Sequence, residues 1–552
     1  MAVSRRGFLA SAVTGSAVAA VSSSQVLSAM TSAARAASPP GDVVGKITVG
    51  YQGWFACKGD GAPINAWWHW SGANNQQPPS PSNNTIVAWP DMREFTKTYV
   101  TAYANLGNGQ PATLFSSWDQ QVVDTHFRWM RENSIDTAAL QRFNPNGGEG
   151  PTRDAMTQKV RTAAEANGIK WYVMYDITSW TNMQSEIKAD WQNKMSAHVA
   201  SPMYARQNGK PVVGIWGFGF NDPGRPFAPG PCLDVINWFK SQGVYVMGGV
   251  PTYWRQGIND SRAGFGDVYR AFHMISPWMV GRISTIADAD NFYTNLTVPD
   301  QAECNARGID YQPCVMPGEV TRRHRRHGDF MWRQFYNVIR AGCQGIYISM
   351  FDEFNEGNQI AKTAETLASV PANSGLLALD EDGTFCSSDY YLRLTRDGGR
   401  MLKGQIALTP NRPTPPVVTT PPTTTYVALR SRANNQYVTA NNGAALIAGS
   451  GSIGTAQQFE RVNLGNGNIA LRARSNNQYV CAEAAGAQPL IANRAAIGPW
   501  ETFALITNSN GSVTLRAQAN NQYVCAEAAG AQPLIANRGA IGGWEQFDLV
   551  TA

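Results

Sequence analysis

Between residues 47 and 354 the chain repeats one rhythm: an apolar run of eight to ten residues, then a glycine-rich or polar break. Several breaks continue into stretches whose apolar residues recur three and four apart. Continuous apolar runs mark strands buried on both faces, and the three-four spacing marks amphipathic helices. The runs are "ITVGYQGWF" (47–55), "DTAALQRF" (136–143), "KWYVMYDI" (170–177) and "PVVGIWGF" (211–218). "VYVMGGVP" (244–251), "AFHMISPWM" (271–279), "YQPCVMPGE" (311–319) and "GIYISMFDEF" (345–354) follow. Helical patterns between them include "TRDAMTQKVRTAAEANG" and "GDFMWRQFYNVIRAG". Eight buried strands with crossovers predict an α/β fold, a parallel (β/α)8 barrel with long insertions spanning residues 40–408. An open doubly wound sheet is the alternative. No GxGxxG follows the first strand, so a dinucleotide site is unsupported.

The rhythm stops at "TPNRPTPPVVTTPPTTT" (409–425), a Pro/Thr tract with no core-forming pattern that reads as an extended linker. Beyond it, residues 426–552 alternate apolar and polar positions and repeat themselves. "NNQYVTANNGAALIA" is followed by "NNQYVCAEAAGAQPLIANRAAIGPWETFALI" and "NNQYVCAEAAGAQPLIANRGAIGGWEQFDLV", with Tyr437, Tyr479 and Tyr523 equivalent. Units of about forty residues cannot each bury a core, so a threefold closed β structure is expected. The units resemble the fascin-like β-trefoil. That resemblance implies an all-β trefoil domain, expected here to bind carbohydrate. The first unit lacks "CAE" and "ANR", so at most two working sites are expected.

The first 36 residues read as an address: "SRRGFLA", a mild Ala/Ser/Val-rich stretch and "ARA" at Ala34–Ala36. This resembles a twin-arginine export signal and makes a secreted protein the expectation, without stable membrane association after export. A net charge of +5 over 552 residues gives no reason to expect nucleic acid. The eight cysteines have no zinc-site spacing, so neither metal nor cofactor is expected. Cys304 and Cys314 are close enough in sequence to be bridged or to be two buried thiols, whereas Cys481 and Cys525 read as equivalent core thiols. A monomer is expected.

In a barrel, polar residues just after the strands gather at one mouth. Those candidates are Trp54, Asp60, His69 and Trp70 after the first strand, Asp176 after the third and Trp216 after the fourth. Tyr253 and Arg255 follow the fifth strand, Trp278 the sixth and Glu319 the seventh. The same tryptophans also suit barrel packing, and His69 a structural role. The run "TRRHRRHGD" (321–329) reads as a solvated loop. After the eighth strand, "FDEFNEGNQ" places Glu353 and Glu356 three apart between aromatics. Glycoside cleavage needs one protonated carboxyl for the leaving oxygen and one ionised carboxylate on the opposite side. Residues three apart on a turn can face one sugar, so the pair reads as catalytic rather than as a helix start.

"VGYQGWF…GDG", "HW", "FDEFNEG" and "DYYLRLT" resemble glycoside hydrolases of the family 71/99 type, over roughly residues 44–405. The resemblance implies a barrel with an ExxE motif after its last strand, and a retaining reaction through an epoxide-like intermediate. Carried over, Glu353 is the base that deprotonates the sugar 2-hydroxyl and Glu356 the acid and then base. The other candidates would bind a poly- or oligosaccharide substrate. Two other readings are an exo-acting xylosidase or arabinosidase and a non-catalytic, lectin-like protein. Product sizes separate the first, and loss of hydrolysis on a glycan panel separates the second.

Overall fold

The computed structural model describes residues 38–417, 426–441, 443–465, 467–495 and 497–551. The export signal, its cleavage site and residues 418–425 of the Pro/Thr tract lie outside the described residues. The chain divides into two compact units, Met1–Val418 and Thr419–Ala552.

In the first unit β1 (Ile47–Tyr51), β2 (Thr137–Arg142), β3 (Lys170–Asp176), β4 (Lys210–Trp216), β5 (Tyr245–Pro251) and β6 (Met274–Trp278) pair in chain order, all parallel. The next strand, β7, comes in two halves, Asp310–Tyr311 against β6 and Cys314–Val315 against β8 (Ile346–Ile348), which pairs with β1. Gln312 N–H donates to Ile275 O on one side, and Pro313 O accepts from Tyr347 N–H on the other. The curled sheet therefore returns on itself as an α/β barrel. Helices lie between successive strands, among them α1 (Gln120–Glu132), α2 (Gly150–Asn167), α3 (Met183–Asp190) and α4 (Pro229–Ser241). They continue as α5 (Gly266–Arg270), α6 (Ile286–Phe292), α7 (Val298–Arg307), α8 (Asp329–Arg340) and, after β8, α9 (Tyr390–Leu402). None of the described helices is long and apolar enough to cross a membrane.

All eight predicted runs form strands, but β1 and β8 stop well short of the apolar runs that contain them. The amides of Gln52 and Gly53 leave the β ladder for the Asp352 carboxylate, at 2.7 and 2.8 Å, which ends β1 after Tyr51. Two strand glycines make room for bulky neighbours. A side chain at Gly50 would collide with Met350 and Tyr347, and one at Gly249 with Trp216.

The Pro/Thr tract is expected to begin as free spacer at residue 409, yet its first part is bonded to the barrel. Arg393, buried on α9, donates to Pro415 O at 2.9 Å and Pro416 O at 3.0 Å. Thr414 Oγ1 donates to Asp397, and Arg412 pairs with Asp329 of α8. Buried guanidinium and carboxylate groups need partners, and this segment supplies them. The eight cysteines are free thiols, so Cys304 and Cys314 are both buried and not bridged.

The second unit is a twelve-stranded antiparallel sheet. Each repeat contributes four strands, and the pairings Arg430↔Tyr437, Arg472↔Tyr479 and Arg516↔Tyr523 recur with a bulge after each tyrosine. Phe459, Phe503 and Phe547 are equivalent core residues. Tyr426–Ser431 pairs with Phe547–Thr551, joining the first strand to the last. Cys481 and Cys525 are buried at matching positions.

Candidate active site

The two candidate glutamates sit where the chain leaves β8 for a turn. Asp352, fully buried, accepts the Gln52 and Gly53 amides, and Gln52 Nε2 donates to Glu353 Oε1 at 2.7 Å. Burial, with Glu353 beside it, pushes the Asp352 carboxyl up to about 7 against the pull of the two amides and Arg153. Glu353 is itself fully buried, and Glu356 is half-buried.

The glutamates stand on a single turn rather than at the start of a helix. Both Glu356 N–H and Gly357 N–H donate to Glu353 O, at 3.3 and 3.1 Å. Gly357 closes the turn at φ +73°, and a Cβ there would stand 2.7 Å from Val87 and 2.9 Å from Glu319. Only glycine fits both demands. Glu319 thus lies against the turn, but Arg322 at 3.0 Å and Thr321 already engage its carboxylate. The basic run is not simply solvated. Arg325 is buried and donates to the carbonyls of Gly318 (2.8 Å), Gly357 (2.9 Å) and Gln359 (2.8 Å), with its guanidinium 4.3 Å from the Tyr391 ring centroid. It ties the glutamate turn to the loop after β7.

Around the rim from Glu353, a second group rises over β1 to β3. Trp54 stacks on His69 at 3.7 Å and on Phe143 at 5.6 Å, so its rings are occupied by neighbours. Burial, helped by Arg153, presses the His69 pKa well below its ordinary value, so the ring is neutral. Glu149, which precedes α2, stands with Oε1 4.0 Å from His69 Nε2. Burial raises the Glu149 pKa, Arg153 and Trp68 lower it, and Asp176 adds to the rise. Asp176, buried at the end of β3, accepts from Thr178 N–H at 2.9 Å and Thr178 Oγ1 at 2.5 Å. Arg153, fully buried, collects the carbonyls of Gln52 (2.6 Å), Gly53 (3.1 Å) and Gln141 (2.5 Å).

Across the barrel, Trp216 and Trp278 meet edge to face at 5.5 Å, and the Arg225 guanidinium covers Trp216 at 4.6 Å. Tyr253, half-buried, has its amide held by Asp260. Three predicted residues do other work. Arg255 is ion-paired at 2.9 Å with Asp300 of α7, a buried carboxyl lifted to about 7 by burial against the pull of Arg255. Asp60 closes a turn inside the insertion after β1, accepting from Cys57 N–H, Ala62 N–H and Ser116 Oγ at 2.8, 2.7 and 2.6 Å. Trp70 is fully buried, stacked on Phe55 at 3.9 Å with its indole N–H on Phe115 O. The insertion after β1 draws Asp60 into a turn and Trp70 into the core that it shares with the barrel, beside Phe354.

No protein-family model matches the chain, and no curated protein matches its sequence. Among solved structures it is similar to the GH99 endo-alpha-mannosidase from Bacteroides thetaiotaomicron, at 13% identity and a TM-score of 0.48, over 66% of this chain and 98% of that one. The same enzyme in complex with bis-tris-propane matches at 14% identity and the same TM-score and coverage. The designed 3-fold symmetric protein ThreeFoil covers 23% of this chain and 99% of its own, at 24% identity and a TM-score of 0.22. Likenesses this loose do not decide a function.

The Asp352 clamp has a pH signature. With a carboxyl lifted from 3.8 to about 7, the folded chain binds a proton more tightly than the unfolded chain across that window. Stability from this group is therefore present below pH 4 and lost as pH rises towards 7. Thermal melts of wild type and Asp352→Asn should show wild type's advantage shrinking over that range. A constant or widening difference would refute the assignment.

Proposed function

We propose that the chain is a secreted, retaining glycoside hydrolase acting on a poly- or oligosaccharide. One observation carries the reading: a fully buried glutamate, held by the Gln52 amide at the C-terminal end of a barrel strand, begins a turn that presents a second glutamate. A buried carboxylate is costly unless it is used or matched. Glu353 acts as the base on the sugar's neighbouring hydroxyl. Glu356, nearer solvent, protonates the leaving oxygen and then activates water. The aromatic wall around the turn, Phe351 and Phe354 included, limits water and strengthens charge interactions. The paired-arginine segment supports export.

For the second unit we propose a β-trefoil that binds glycan. Three equivalent four-stranded repeats on one joined sheet support the fold. Trp500 and Trp544 support the role, being 38% and 42% exposed at matching positions where the first repeat has Ala456. A large exposed aromatic costs hydration unless it meets a ligand.

Glu353→Gln and Glu356→Gln should fold as wild type and lose kcat/KM on a glycan by orders of magnitude, at least about 10²-fold. With a glycosyl fluoride, whose leaving group needs no proton, Glu356→Gln should recover much of its bond-cleavage rate and Glu353→Gln should not. Near-wild-type turnover in both variants would sink the pair. Ending the chain after residue 418, which keeps the bonded part of the Pro/Thr tract, should weaken retention on insoluble glycan and spare turnover of a small substrate. Equal retention would remove the glycan-binding role of the second unit.

A further inference from the structure

Glu149 is the acid that no motif singled out, and its surroundings are unusual. It occupies the cap position of α2, where an acidic side chain ordinarily accepts an amide of the first helical turn. Its carboxylate makes no such bond. It faces the Trp68 indole, which helps hold its pKa down, and His69, with Oε1 4.0 Å from Nε2, too far for a direct hydrogen bond. The imidazole is neutral, so the gap is not an ion pair held at long range.

His69 Nε2 and Trp54 Nε1 are both buried and have no hydrogen-bond partner. They belong to two rings stacked at 3.7 Å, and Trp54 is 8% exposed. His69 also holds a left-handed backbone at φ +58°, which a non-glycine residue adopts at a cost. Unmatched polar atoms and backbone strain thus collect at one spot. That spot lies just below the surface, since the His69 and Glu149 side chains are 11% and 19% exposed while Nε2 itself is covered. It is also wired to the glutamate turn: Arg153, four residues into the helix from Glu149, holds Gln52 O, and the Gln52 side chain holds Glu353.

We propose that Glu149 and His69 form a subsite that takes one sugar hydroxyl between the carboxylate and imidazole Nε2, beside the paired glutamates. A hydroxyl donates to the carboxylate and accepts from a ring N–H, which a 4.0 Å gap between the two acceptor and donor atoms accommodates. The ligand class is a neutral sugar unit. A uronic acid would set its carboxylate against Glu149, and the basic run offers it no compensation here because Arg325 is buried on backbone carbonyls. The inference rests on the glycan reading of the mouth and adds a specificity-determining residue to it.

Tryptophan-fluorescence titration of the full chain, with Trp500→Ala and Trp544→Ala in every arm so that the second unit's exposed indoles do not report, tests this with neutral oligosaccharides from mannan, xylan and arabinan, and with oligogalacturonides. Wild type should bind one of the neutral sets and not the oligogalacturonides. Glu149→Gln and His69→Ala should weaken that binding roughly ten- to a hundred-fold, the worth of one or two bonds to a hydroxyl. On a cleaved substrate the loss should appear in KM, in contrast to the kcat loss of Glu353→Gln. Glu149→Gln should keep wild type's melting temperature, because the carboxylate caps nothing. Equal binding by wild type and both variants, preference for the uronic acids, or no binding to any neutral set would overturn the subsite. Weakened binding in the variants of a chain that cleaves none of the sugars would keep the subsite and remove the hydrolase reading instead.

Discussion

The mouth of the barrel depends on one buried exchange between strand ends. Gln52 and Gly53 turn their amides out of the ladder onto the Asp352 carboxylate, while Arg153 takes the carbonyls of the same two residues and of Gln141. The ends of β1, β2 and β8 are thereby fastened by charge-assisted bonds among buried groups. Each member would be costly to bury alone, and each is matched. Gln52 becomes a bracket whose side chain meets Glu353, so the proposed base is held by the same residue that stops β1. Arg325 does the corresponding work on the far side of the turn, binding carbonyls before and after it.

This explains what was legible in the sequence and what was not. The eight strands show as apolar runs because burial on both faces leaves little choice of residue. Their ends do not show, since β1 stops where a carboxylate 300 residues away takes its amides. Glu353 and Glu356 stand out by their aromatic company. Glu149 lies in "NPNGGEGPT", which reads as a loop leading into a helix, and only the fold brings it to His69. Arg325 hides in a basic run whose other members have the exposure such runs usually have. Asp60 and Trp70 follow the first strand closely in sequence yet serve a turn and the shared core, because about seventy residues separate β1 from α1 and pack back onto the barrel.

The second unit was the more readable half. Its repeats share tyrosine, bulge and phenylalanine positions, and the sheet pairs them equivalently. The boundary was less readable: proline and threonine predict an extended spacer, but Arg393 and Asp397 on α9 recruit residues 414–416 as backbone and hydroxyl partners. Composition describes a segment's own preferences and not the unmet needs of the surface beside it.

The central claim is that the Gln52 side chain holds Glu353 in its working position while the Gln52 backbone holds the fold. Gln52→Ala separates the two, because it leaves both backbone anchors in place and removes only the 2.7 Å bond to Glu353. Turnover of a cleaved glycan should fall at least about tenfold in kcat, with the cooperative melt preserved. Wild-type kcat in Gln52→Ala would contradict the account.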